Sequence, residues 1–176
     1  MEHPFIGIDE SNHGRYPEVF VAVYSSNPAD IQVGTAQLGK IRDKQPIEDI
    51  LRGKTAYHVL VPQRWTQYGH QRTLRVIATS ELILHSDAAQ EVIIDGEMPS
   101  THIEEIHRIL HPRKVNVTLQ QRADQFVPLV NSADSVANKL FRYYSGFSDI
   151  EDARDYSKIR ICVDLGTYRQ TLTRLS

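Results

Sequence analysis

Apolar residues along this chain cluster into short strand-like runs separated by stretches of helical periodicity. Residues 4–9 (PFIGID) and 18–25 (EVFVAVYS) are dense in β-branched and aromatic side chains, the pattern of buried strands. Asn12, Gly14 and Pro17 break the chain between them, so the two strands are expected to close as an antiparallel hairpin. Pro46 then opens a short helix with Ile47, Ile50 and Leu51 on one face, and Gly53 stops it. Residues 56–61 (AYHVLV) read as a third strand. Over 71–85 the residues Leu74, Ile77, Ala78 and Leu82 recur at helical spacing, although Ile83 and Leu84 leave its end open to a strand. Residues 91–95 (EVIID) form a further apolar strand closed by Gly96.

Ser100 or Thr101 is the expected cap of the next helix, with Thr101 and Glu104 as a capping box and Ile103, Ile106 and Leu110 as the buried face. Residues 114–120 (KVNVTLQ) alternate as a half-buried strand. Pro128 fits the first turn of a helix facing the core with Leu129, Ala133, Val136, Ala137, Leu140 and Tyr144, ended by Ser145 and Gly146. Residues 149–155 are acidic and expected to be exposed, and residues 159–164 read as a last strand. Two antiparallel strands followed by alternating helices and strands imply an α/β mixed sheet, an antiparallel hairpin followed by parallel strands, with helices on both faces. No repeat or linker divides the chain. The expected organisation is one core over residues 1–145, with a C-terminal extension over 146–176 carrying a short strand and packed on the same domain.

Composition narrows the class. A chain of 176 residues buries about two-thirds of its unfolded surface and needs no disulfide or structural metal to hold a core. The lone Cys162 cannot form an internal bridge, which suits a reducing compartment. No apolar run approaches the roughly 20 residues of a membrane span, and the N-terminus has no basic-then-apolar leader. The expectation is a soluble cytoplasmic protein with no membrane partner. A formal net charge of −2 gives no broad basic field for nucleic acid.

The acids change that picture. Asp9 and Asp95 each end an apolar strand, where a charge is costly unless solvated, paired or bound to metal. Asp also starts turns, so either residue alone says little. Their surroundings say more. Ile8-Asp9-Glu10-Ser11-Asn12-His13-Gly14 resembles the Asp-Glu-x-Gly-Arg-Gly motif of the type 2 ribonuclease H family, ribonucleases HII and HIII. Val92-Ile93-Ile94-Asp95-Gly96 resembles that family's second acidic strand end, and Ala123-Asp124, running into the helix through Ala133, Ala137 and Lys139, is similar to its third block. The three blocks come in the family's order.

The resemblance implies a ribonuclease H-like fold and four metal-binding acids, Asp9, Glu10, Asp95 and Asp124. It implies Mg²⁺ or Mn²⁺ as cofactor and cleavage that leaves 5′-phosphate and 3′-hydroxyl ends. Hard oxygen donors suit these ions. Two of them about 4 Å apart would activate water and stabilise the leaving oxygen. They would also cancel the four carboxylate charges and let phosphate approach. Asp9 and Glu10 are adjacent, so both reach one site only if the strand ends or twists there. The nucleic-acid partner implied is an RNA–DNA hybrid, with Asn12, His13, Gly14 and Lys139 as substrate-binding residues. The segment Asn12-His13-Gly14 stands where the family has Gly-Arg-Gly, which recognises the ribonucleotide 2′-hydroxyl. That departure makes single-stranded RNA or DNA a rival substrate. A non-catalytic nucleic-acid-binding or assembly module and a small-molecule phosphoesterase are the other readings.

Weaker signals remain. His107 and His111 lie four apart on one helix, with His102 earlier, but lack the Glu of a zinc motif and read as a solvated face. Asn131, Asp134 and Asn138 form a polar stripe that either borders the acids or faces solvent. Arg122, Lys139 and Arg142 lie close enough in sequence to the third block to meet phosphates. Ser145-Gly146-Phe147 faintly resembles the family's Ser-Gly-Tyr segment, whose Tyr packs on the ribose.

Overall fold

Strand β2 (Glu18–Ser25) is buried along its whole length. Its sequence is apolar without alternation because a helical layer covers each side of it. In the computed structural model, which describes residues 2–11, 15–41, 44–66, 71–147 and 153–176, β1 (Phe5–Ser11) pairs antiparallel with β2, and β2 pairs antiparallel with β3 (Thr55–Val61). On its other side β1 runs parallel to β4 (Glu91–Asp95), with Ile8 opposite Ile94, and β4 runs parallel to β5 (Asn116–Gln120). The sheet order is β3-β2-β1-β4-β5. The hairpin and the parallel strands thus join in one mixed sheet centred on β1.

The helices are α1 (Ile47–Leu51), α2 (Gln63–Thr66), α3 (Gln71–Leu84), α4 (Ser100–Leu110), α5 (Pro128–Tyr144) and α6 (Arg169–Leu175). Leu129, Val130, Ala133, Val136 and Leu140 of α5 pack against Val19, Val21, Val23 and Ile93 on one face of the sheet. Leu74 and Leu82 of α3 and Ile106 and Leu110 of α4 pack against Ile6, Ile8, Phe20, Val92 and Ile94 on the other. Successive residues of β1 and β4 therefore point to opposite layers. Gly7 sets the distance of α5: a Cβ there would lie 2.6 Å from the Leu129 carbonyl carbon and 2.7 Å from the Val130 nitrogen. Only a residue without a side chain lets the helix backbone come this near.

Four local expectations need correction or completion. Ile83 and Leu84 stay helical, which settles the end of α3. The Thr101–Glu104 capping box does not form. Helix α4 starts one residue earlier, with Pro99 at the cap position and no side-chain cap bond. Residues 159–164 are not a strand. They make a single bridge, His58 with Arg160, supported by Ile161 N–H donating to the His58 carbonyl. Their alternation is nonetheless real, because Ile161, Val163 and Leu165 lie partly buried on the α3–α4 core; extended backbone was legible, but the ladder partner was not there. Helix α6, absent from the sequence reading, follows. Thr171 Oγ1 and Arg174 donate to Glu105 Oε1 at 2.9 and 2.8 Å, and Tyr168 O–H donates to Glu81. Of the acidic stretch 149–155, residues 149–152 lie outside the described residues; Ala153 within it is buried, while Arg154 and Asp155 are exposed as expected.

Candidate active site

The register of the parallel strands decides the geometry. Because Ile8 faces Ile94, Asp9 and Asp95 fall side by side, one residue further along, at the carboxyl edge of the sheet. This edge is where open α/β sheets place their ligands. Both alternate with residues of the α3–α4 core, so both turn to the α5 face. Beyond β5 the chain turns through Arg122, held in a left-handed conformation at φ 59°, into a short 3-10 turn, Ala123–Gln125. There the Ala123 N–H donates to Asp95 Oδ1 at 2.6 Å, and Asn131 Nδ2 donates to the Asp124 carbonyl at 2.8 Å. These bonds fix the turn that carries Asp124. Asp134 follows on the second turn of α5.

Electrostatics tie the four aspartates together. Asp9 is only 7% exposed. Burial first, then the charge of Asp95, pushes its pKa up to about 9, with Asp134 and Asp124 adding to the rise; the Glu10 N–H, donating to its Oδ1 at 2.7 Å, opposes it. Asp124 is raised by burial and by Asp95, and Asp134 by burial and by Asp124. Lys40 opposes the rise at Asp124 and Asp134, and Arg122 opposes it at Asp124, but like charge and burial prevail. Among the described residues no three His, Cys, Asp or Glu side chains converge closely enough to hold an ion as they stand.

Glu10 is placed differently. β1 continues to Ser11 rather than ending at the acids, and the pleat turns Glu10 to the α3 layer. Its Oε1 lies 3.5 Å from Arg75 Nε. The same guanidinium donates to the Asp95 carbonyl at 2.8 Å and the Glu97 carbonyl at 2.5 Å. The structure thus brings Asp9, Asp95 and Asp124 together and sets Glu10 behind them, braced through Arg75 to the end of β4.

The polar stripe of α5 borders the acids: Asn138 Nδ2 donates to Asp134 Oδ1 at 2.7 Å, and a cleft of about 340 Å³ is lined by Lys40, Asp124, Asp134, Asn138, Lys139 and Arg142. Lys139 reaches this cleft, though its Nζ donates to the Gln45 carbonyl at 2.9 Å. Arg122 is engaged with Gln125 Oε1. Asn12, His13 and Gly14 lie outside the described residues. Phe147 lines a separate pocket with Arg15, Tyr16 and Phe141, beside the chain that follows Gly14. His107 and His111 are exposed, as a solvated face should be, whereas His102 is buried. Sequence reasoning missed Lys40 and Arg75. Lys40 lies in a stretch with no periodicity, and Arg75 sits unmarked between the core residues Leu74 and Val76. Only the folded chain shows what each faces.

A 3-2-1-4-5 mixed sheet with acids near the end of its first strand and at the end of its fourth is a ribonuclease H-like fold. No family model and no curated protein matches the chain. Solved structures do. The ribonuclease HII of Archaeoglobus fulgidus, from its complex with PCNA, superposes with a TM-score of 0.63 at 17% identity, over 97% of this chain and 87% of that one. Ribonuclease H2 of Pyrococcus horikoshii gives 0.60 at 15% identity, over 81% and 74%. A Bst ribonuclease HIII in complex with Mn²⁺ gives 0.57 at 20% identity, over 81% of this chain but 53% of that one. At these identities the likeness is one of fold.

Proposed function

We propose that this chain is a Mg²⁺- or Mn²⁺-dependent nuclease that hydrolyses phosphodiester bonds in the RNA strand of RNA–DNA hybrids. The observation that carries the reading is Asp9, buried beside Asp95 and among Asp124 and Asp134, with its pKa pushed up to about 9. A divalent cation is the group that relieves such repulsion and accepts phosphate oxygens at the same place. The donors fit it, since all are hard carboxylate oxygens. Asp9, Asp95 and Asp124 would hold it, with Asp134 alongside. When bound there, the cation supplies Lewis-acid polarisation of the phosphate and acidifies water for in-line attack.

The remaining roles fall to this chain's own groups. The Glu10 and Ala123 N–H groups orient the Asp9 and Asp95 carboxylates. Glu10, through Arg75, holds the end of β4 in place. Lys40, Lys139 and Arg142 would meet the strand's phosphates along the cleft. The hybrid substrate rests on the fold shared with ribonucleases HII and HIII, and the residues Asn12-His13-Gly14 are the part of the sequence that would alter it. No described helix is long and apolar enough to cross a membrane.

The test is cleavage of end-labelled oligonucleotides by purified protein in Mn²⁺, Mg²⁺ or EDTA. The panel holds an RNA–DNA hybrid, a duplex with one embedded ribonucleotide, single-stranded RNA and single-stranded DNA. Metal-dependent cutting of the hybrid, lost in Asp9→Asn, is the expected result. Preference for a single strand would overturn the substrate. Failure of folded protein to cut any of the four would overturn the nuclease in favour of a binding module.

A further inference from the structure

The layer behind the acids contains a pocket that the nuclease reading leaves unused. It opens between the start of α3, the start of α4 and the carboxyl ends of β4 and β5, with a volume of about 630 Å³. Its chemistry is carried by Arg72, Arg75, Glu97, His102 and Gln121. His102 is the informative residue. It lines the pocket yet is only 8% exposed, and its ring has no hydrogen-bond partner among the described residues. Its ring nitrogens are not among the buried polar atoms left without a partner, so they open into the pocket, where a bound group can accept from the ring.

The surrounding charge says which. Burial first, then Arg72 and Arg75, hold the His102 pKa below its ordinary value. The ring is therefore neutral near pH 7, offers one N–H, and lies in a positive field. Arg72 is exposed and makes no hydrogen bond among the described residues. Arg75 is fixed by Glu10 and by the carbonyls of Asp95 and Glu97. Gly96, at φ 92°, leaves room for that guanidinium, since a Cβ there would stand 3.3 Å from it. The one acid of the lining, Glu97, accepts from Gln121.

We propose that this pocket binds a phosphate group, with Arg72 supplying the charge and His102 an N–H donor that opens into the pocket. A pocket of several hundred Å³ suits a phosphate carried on a nucleotide unit better than a bare ion. Two sources share that chemistry: the backbone of a nucleic-acid strand whose neighbouring phosphate lies at the acids, which rests on the nuclease reading, and a free nucleotide, which does not.

Binding is measured in EDTA, so turnover plays no part and a failed nuclease assay leaves the result readable. The His102 ring resonances are followed by NMR in the full chain during titration with inorganic phosphate, a nucleoside monophosphate and a short single-stranded oligonucleotide. The expected result is a saturable shift of His102 with at least one phosphate-bearing probe. That shift is lost in Arg72→Glu, whose melting temperature stays close to wild type because Arg72 is exposed and makes no hydrogen bond or ion pair among the described residues. A shift strongest with the oligonucleotide, at least five-fold weaker in Arg72→Glu, assigns the strand backbone. One confined to the monophosphate and inorganic phosphate assigns a free nucleotide. No shift with any probe, or an undiminished shift in both Arg72→Glu and His102→Gln followed through neighbouring amides, would overturn the proposal.

Discussion

The two faces of one sheet edge carry opposite problems. On the α5 side, Asp9, Asp95, Asp124 and Asp134 crowd together, and burial raises the cost of charging Asp9, Asp124 and Asp134, with Lys40 relieving Asp124 and Asp134 in part. On the α3 side, one residue further along β1, Glu10 has Arg75, and Arg75 also clasps the carbonyl ends of β4. The pleat alone separates them, since neighbouring residues of a strand face opposite layers. The division sorts the acids by what they face: Glu10 faces an arginine, while the four aspartates face chiefly one another.

The comparison breaks most severely at Asp95, which stands between Asp9 and Asp124. Asp95→Asn keeps an acceptor for the Ala123 N–H but removes the charge that both neighbours feel. Loss of an outer partner of a metal ligand typically costs 10–100-fold. Loss of a ligand charge should exceed that, so cleavage in Mg²⁺ is expected to fall by roughly 100-fold or more. The melting temperature in EDTA should hold or rise, because a mutually repelling charge is gone. Retained activity in steady-state assays would remove Asp95 from the site.

Gly7 tests whether the α5 face must sit where it does. Gly7→Val drives side-chain atoms into the Leu129–Val130 backbone. Overpacking of this kind costs about 1–3 kcal/mol or more, read as a lowered urea midpoint, with activity lost as Asp134 and the Asp124 turn move away. Gly39→Ala is the control, since nothing lies within 4 Å of a Cβ there; its midpoint should stay at the wild-type value.

A smaller effect separates the faces by pH. Asp9 has a folded pKa of about 9 against an ordinary value of 3.8, so the folded chain holds this proton more tightly than the unfolded one. Its contribution to stability is fully present below about pH 4 and is lost as pH rises toward 9. In EDTA, the wild-type melting temperature should therefore drop relative to Asp9→Asn across that window, and Mg²⁺ should restore it at the alkaline end. Parallel pH profiles for the two proteins would show that Asp9 is not held in this way.

How much of this was legible beforehand follows from the physics of each signal. Strand β2 and helix α5 announce themselves because core burial selects apolar residues at every position or at helical spacing. The acids at β1 and β4 stand out because a charge ending an apolar run needs a reason. Glu10 could not be placed from sequence: whether it joins Asp9 depends on where β1 ends, and the strand runs on to Ser11. The stretch 159–164 alternates correctly, yet alternation reports burial on one side and says nothing of a hydrogen-bonding neighbour. His102 was grouped with His107 and His111 by spacing. Helical phase separates them: His102 lies four and eight residues before Ile106 and Leu110 on the buried face of α4, while His107 and His111 turn to solvent.

The finest test lies at Glu10 itself. If its work is to anchor Arg75, Glu10→Gln keeps a hydrogen-bond acceptor for the guanidinium and loses only charge, so cleavage should fall by a few-fold. Arg75→Ala should do more to stability, because it removes the guanidinium from beside a carboxylate that is 9% exposed and from the Asp95 and Glu97 carbonyls. A broken pair at this depth costs on the order of 1–3 kcal/mol, less than the 3–5 of a fully buried one. The double variant Glu10→Gln/Arg75→Ala should then be no less stable than Arg75→Ala alone, since the charge beside the lost guanidinium is gone. If Glu10 instead serves the acids on the other face, Glu10→Gln will match Asp9→Asn in lost activity while leaving the Arg75 contacts to the β4 carbonyls intact. The two outcomes differ by more than ten-fold in rate, so a single kinetic comparison assigns Glu10 to one face of the sheet or the other.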